Sequence, residues 1–161
     1  MTLEALVTEA LAGGISVETA RAVAALPDEE LSFLLAASDR VRRHHFGTRV
    51  KLCSIVNARS NLCGEDCAFC AQSHRADADV PTYPLLDEGT LLERARAARE
   101  AGAGEFSIVT SGKGPTPAEL DVIERVLRED TGMQRCVSIG VLDRPGLQRL
   151  KDAGLQIFHH N

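Results

Sequence analysis

From residue 51 onward the chain alternates between two hydrophobic periods, and that alternation leaves few folds open. Lys51–Asn57 reads as a short buried strand, followed by a polar, cysteine-bearing loop up to Pro84. Asp87 caps a helix through Leu91, Ala95, Ala98 and Ala101 that stops at Gly102 or Gly104. Glu105–Thr110 is a second strand. Thr116-Pro117-Ala118-Glu119 opens the next helix with a capping box and a proline in the first turn; Leu120, Ile123 and Leu127 form its apolar stripe. Arg135–Gly140 is a third strand, Asp143 caps a short helix ending at Gly154, and Leu155–Phe158 begins a fourth strand. Strands alternating with helices over short links form βαβ units, a parallel sheet and right-handed crossovers. The expected class is therefore α/β, a partial (β/α)8 barrel of about three and a half βα units. A closed barrel takes roughly 250 residues; this chain has 161 and ends in the fourth strand, so a truncated barrel is expected.

Residues 1–50 read as a helical lead-in to the barrel part at 51–161. Ser16 caps a helix that Pro27 interrupts. A second helix is expected over Asp28–Phe46, with Leu31, Leu34, Leu35 and Val41 at helical spacing. Its acidic start, its Arg42-Arg43-His44-His45 end and the Gly47 stop suit the helix dipole and a C-terminal cap.

Eighteen basic against 23 acidic residues give a net charge of −5, which argues against a nucleic-acid partner or an anionic membrane surface. The N-terminal stretch carries no secretory signal and no apolar run is long enough to span a membrane, so the expected location is cytoplasmic. In that reducing setting the five cysteines read as metal ligands more readily than as disulfides.

Three of those cysteines, Cys63, Cys67 and Cys70, have the spacing C-x3-C-x2-C on the loop after the first strand. Three thiolates on one loop reach three corners of a cubane iron–sulfur cluster and leave one iron open to a reactant. The loop also lies where barrel enzymes build their sites, at the C-terminal ends of the strands. A structural zinc ion with His74 as fourth ligand is the rival reading. Gly112-Lys113-Gly114 lacks the full spacing of a phosphate loop.

The run from Cys53 through Asn57, Arg59 and Asn61 to Cys63-Gly-Glu-Asp-Cys67-Ala-Phe-Cys70-Ala-Gln-Ser73 resembles the signature of the biotin synthase family of radical S-adenosylmethionine enzymes. Val41–Phe46, Phe106–Gly112 and Phe158-His159-His160-Asn161 resemble further segments of that family, in order. The resemblance implies a [4Fe–4S] cluster on Cys63, Cys67 and Cys70, with S-adenosylmethionine at its open iron. It implies sulfur insertion into dethiobiotin, a reductant such as flavodoxin or ferredoxin, and a homodimer at full length. Phe69 and Thr110 are then cofactor-binding candidates, and Asn161 and Arg59 substrate-binding candidates, with a surface position the bland alternative for Arg59. An amide such as that of Asn161 donates and accepts at once, as a ureido ring requires. A second, [2Fe–2S] cluster is the sulfur donor in the family; Cys136 matches one ligand position and Ser107 stands at another. Cys136 as a buried hydrophobe remains the alternative, and Cys53 is expected in the core. Of His159 and His160, at most one faces the barrel interior. The competing identities are another radical enzyme of similar fold, a non-catalytic zinc module and an inactive truncated gene product; the 161-residue chain alone is expected to be inactive.

Overall fold

The computed structural model describes residues 2–159. They divide near residue 50 into two packing units, each with its own apolar cluster. The first unit holds α1 (Leu3–Leu11), α2 (Val17–Ala24), a single 3-10 turn (Asp28–Glu30) and α3 (Leu31–Phe46). Thr2 accepts from the Ala5 amide and Ser16 from the Thr19 amide, so α1 and α2 start on capping hydroxyls. Leu6 and Val7 of α1 pack on Ala37 of α3, with Phe33, Leu34 and Val41 around them. Two positions expected on that stripe, Leu31 and Leu35, are exposed instead. At 100° per residue the buried arc centres on Ala37 and Val41, and Leu35 falls on the far side of the helix. The acidic residues Asp28–Glu30, expected as the first turn of α3, form the 3-10 turn before it. Gly47 ends α3 with φ +62.

The second unit is a four-stranded parallel sheet in the order β1-β2-β3-β4. Its strands are β1 (Cys53–Arg59), β2 (Glu105–Thr110), β3 (Gln134–Ser138) and β4 (Ile157–Phe158). Three helices connect them: α4 (Glu88–Glu100), α5 (Pro117–Arg128) and α6 (Arg144–Asp152). Each begins on the residue expected from the sequence. Asp87 accepts from Thr90, Thr116 and Glu119 close a reciprocal box, and Asp143 accepts from Gly146.

Alternation along the strands gives the sheet two unlike faces. Val56, Ala58, Phe106, Ile108, Val137 and Ile139 join Leu91, Ala95, Ile123, Leu127 and Leu150 of the helices in one continuous core. The register places Cys53 beside Glu105 and Gln134, and Ile55 beside Ser107 and Cys136, on the opposite face. On β1 that face is open: Ile55 is 68% exposed, and Cys53, expected in the core, is exposed as well. Its odd position on β1 turns it away from the helices. No helix of the described residues is long and apolar enough to cross a membrane.

Candidate metal centre

The segment between β1 and α4 leaves the sheet and comes back to where it left. Ser60 and Tyr83 exchange backbone hydrogen bonds of 3.2 and 3.3 Å, the Tyr83 hydroxyl donates to the Asn57 carbonyl at 2.9 Å, and the Leu86 amide donates to Ala58 at 2.8 Å. Residues 61–82 are thus tied at their neck. Asn61 and Leu62 enter the loop with φ +58 and +43, a left-handed turn that is costly for leucine. Gln72 holds that turn by accepting from the Asn61 amide at 2.6 Å. Short turns follow, Cys70 amide to Cys67 carbonyl and Ser73 amide to Cys70 carbonyl, each at 3.1 Å. The Gln72 amide points at Cys70 Sγ from 3.4 Å.

Cys63, Cys67 and Cys70 line a single cavity of about 420 Å³, whose other wall is the end of β2 and the loops beyond β2 and β3, including Thr110, Ser111 and Gly140. That volume lies within the range of small-molecule sites. Thr110 Oγ1 and Ser111 Oγ are buried in this wall and have no hydrogen-bond partner among the described residues. A buried hydroxyl without a partner costs stability, so this part of the wall is the least satisfied among the described residues that line the cavity. Phe69 is 94% exposed and outside the lining residues.

His74, the fourth ligand of the zinc reading, lies 4.0 Å from the Asp66 carboxylate, which also pairs with Arg75. Among the described residues the loop thiols and His74 do not gather within 4.8 Å of one another.

Arg59 is a buried residue whose role the sequence hid. A register shift between Asn57 and Arg59 re-aims its side chain. Its Nη1 donates to both carboxylate oxygens of Glu119 at 2.7 Å, its Nε to the Ser111 carbonyl at 3.0 Å and its Nη2 to the Ser111 and Gly114 carbonyls. The surface alternative is set aside: the guanidinium is committed to protein partners that fix the cavity wall. Burial pushes the Glu119 carboxyl up, but the Thr116 amide and Arg59 outweigh it and hold the group below the usual carboxylate range. Gly112, at φ +89, lets Arg59 through; a Cβ there would sit 2.7 Å from Nη2. At Gly140 a Cβ would sit 2.2 Å from the Lys113 carbonyl, so the two loops of the wall touch backbone to backbone.

Ser107 and Cys136 are neighbours in register on the open face. Both are buried, Cys136 completely. Burial, then the hydrogen bond to Glu105, pushes the Cys136 thiol up to about 12. Glu105, which sequence reasoning did not single out, also receives Lys51 and pairs with Cys53 in register. Its place on β2 opposite Cys53 was readable only once the strand register was known. His159 approaches the same group; His160 and Asn161 lie outside the described residues.

No family model matches the chain. Curated relatives do. The biotin synthase of Pelotomaculum thermopropionicum is 45% identical over 150 residues, covering 91% of this chain and 47% of that protein. The biotin synthase of Trichlorobacter lovleyi is 46% identical over 153 residues, 91% and 45% of the two chains. That of Anaeromyxobacter dehalogenans is 48% identical over 137 residues, 82% and 38%. The chain spans about half the length, or less, of these relatives. Among solved structures, methylornithine synthase superposes with a TM-score of 0.75 at 22% identity, covering 96% of this chain and 46% of that one. HydG, a maturase of the [FeFe]-hydrogenase, gives 0.73 at 17% identity, covering 98% and 36%. These two likenesses bear out the partial-barrel class expected from the sequence and speak to fold alone.

Proposed function

We propose that this chain, a homologue of biotin synthases over about nine-tenths of its length, is the cluster-bearing part of a radical S-adenosylmethionine enzyme that inserts sulfur into dethiobiotin. The observation that carries this reading is the placing of Cys63, Cys67 and Cys70 on the lining of one cavity at the end of β2. Three thiols and no fourth cysteine on the loop fit a [4Fe–4S] cluster with one open iron. Held there and given one electron by a reductant, that cluster and S-adenosylmethionine would supply the radical chemistry that activates an unactivated carbon, which no side-chain acid or base can perform.

The chain's own residues have the remaining tasks. The neck at Ser60 and Tyr83 and the Gln72–Asn61 bond hold the three thiols on one short loop. Thr110 and Ser111 offer hydroxyls to the cofactor's polar groups. Arg59, through Glu119 and the Ser111 and Gly114 carbonyls, fixes the loop that carries Ser111. Phe69, exposed on the loop, is assigned to the adenine side of the cofactor, and Asn161 to the ureido ring of dethiobiotin. The reading takes flavodoxin or ferredoxin as reductant, a homodimer as the full-length assembly and the cytoplasm as its setting.

Of the [2Fe–2S] ligand positions that the resemblance places within this chain, Cys136 fills one and Ser107 stands at the other. Ser107 offers a hard, weakly acidic hydroxyl where a thiolate would be wanted, and no second cysteine neighbours Cys136 in register on β2 or β4.

Anaerobic reconstitution with iron and sulfide tests the proposal. The reduced protein should give a [4Fe–4S] EPR signal that changes when S-adenosylmethionine is added. Stoichiometric zinc without that signal would overturn it.

A further inference from the structure

The two cysteines outside the loop, Cys53 and Cys136, stand 83 positions apart in sequence, yet the sheet brings both to Glu105: Cys53 pairs with it in register, and Cys136 Sγ lies within 4.8 Å of its carboxylate. His159, just beyond β4, completes the group. One carboxylate oxygen of Glu105, Cys136 Sγ and a His159 ring nitrogen all lie within 4.8 Å of one another. Donors of a tetrahedral ion at about 2.0–2.3 Å lie about 3.3–3.8 Å apart, so three atoms already within 4.8 Å of one another need only small side-chain shifts to close on one ion. They come from β2, β3 and the end of β4 and lie on the face the helices leave open.

We propose that Glu105, Cys136 and His159 bind a single borderline-soft divalent ion, iron(II) or zinc, with Cys53 at the margin of the site. One sulfur, one imidazole nitrogen and one carboxylate oxygen form a donor set for those metals and not for magnesium or calcium. The same set is wrong for a two-iron cluster, whose ligands must divide between two metals, whereas these donors converge on one point. Lys51 is the competing cation. Its ammonium rests on Glu105 and on the Gln134 side-chain carbonyl and gives way on one carboxylate oxygen when the ion enters. The site is separate from the cluster loop and stands whether or not that loop holds a [4Fe–4S] centre.

The test uses the whole chain with Cys63, Cys67 and Cys70 all replaced by alanine, so that the loop cannot answer for the sheet. Cobalt(II) is the probe. One equivalent should bind and produce thiolate-to-cobalt charge transfer in the near ultraviolet. Cys136→Ala should abolish that band. Glu105→Gln and His159→Ala should each weaken binding at least about tenfold, the scale already seen for changes one shell further out. His159 is exposed, so its replacement leaves the fold intact, which circular dichroism checks. Metal analysis of the same variant, isolated anaerobically, distinguishes iron from zinc. Absence of the charge-transfer band overturns the proposal. So does a band that Glu105→Gln and His159→Ala leave undiminished, or a two-iron chromophore on Cys136 that survives both changes.

Discussion

The two faces of the one sheet are built from the same strands and do opposite things. Val56, Ile108 and Val137 lie side by side on the helix face, closed over by Leu91, Ile123 and Leu150. One residue earlier on each strand, Ile55, Ser107 and Cys136 lie on the other face, where Glu105, Lys51 and Cys53 gather as well. A period of two separates a face that holds the fold from a face that gathers polar and thiol side chains. The cluster loop belongs to neither face. It is tied to β1 at its neck and leans its thiols against the end of β2. Stability and chemistry are therefore separable in this chain, and substitutions should sort by face.

The largest effect tests that separation at the loop. Cys67→Ala should abolish the reduced [4Fe–4S] signal after reconstitution, while Cys53→Ala, on the open face, should leave it intact. EPR on the two variants in parallel decides the matter, and loss of the signal in Cys53→Ala would refute the ligand assignment.

Next in size is the contrast between the faces. Leu91→Ala removes a side chain with no exposure and should cost about 2–5 kcal/mol. Ile55→Ala, on the open face, should change stability by about 0.5 kcal/mol or less. Urea unfolding of both variants measures the difference, and similar losses would mean that the open face is sealed in solution.

The helix face was legible in the sequence because its signals are local. Asp87, Thr116 and Asp143 each cap the helix expected of them, since a capping residue bonds amides only two or three positions away. The strands were found from their apolar runs, although β1 begins at Cys53 and β4 at Ile157, each two residues later than the pattern suggested. What stayed hidden needs register. Cys53 looked like a core cysteine because strand composition does not say which face a residue takes. Glu105 and His159 drew no metal reading because their partner Cys136 sits on another strand. Arg59 read as a substrate contact or a surface residue, whereas a register shift sends it to Glu119, 60 positions away. The three loop cysteines were legible for the opposite reason: their spacing alone places them together.

The buried pair Arg59–Glu119 joins the two kinds of region and gives the smaller predictions. Arg59→Met strands a carboxylate that is mostly buried, and breaking such a pair should cost about 3 kcal/mol. The remaining Thr116 cap keeps the loss at the lower end of the range for such pairs. The Glu119 carboxyl is held below its ordinary value in the folded protein. Its stabilisation is therefore fully present above the unfolded carboxylate value, near 4.5, and is lost as the pH falls through the lower folded value. Glu119→Gln should flatten that part of the acid side of the stability curve. Thr116→Ala, which removes only the reciprocal cap, should cost about 1 kcal/mol at neutral pH. Denaturation midpoints across an acid series separate the two. If Thr116→Ala cost as much as Arg59→Met, the cap and not the ion pair would be holding the cavity wall, and Arg59 would lose its claim to position Ser111.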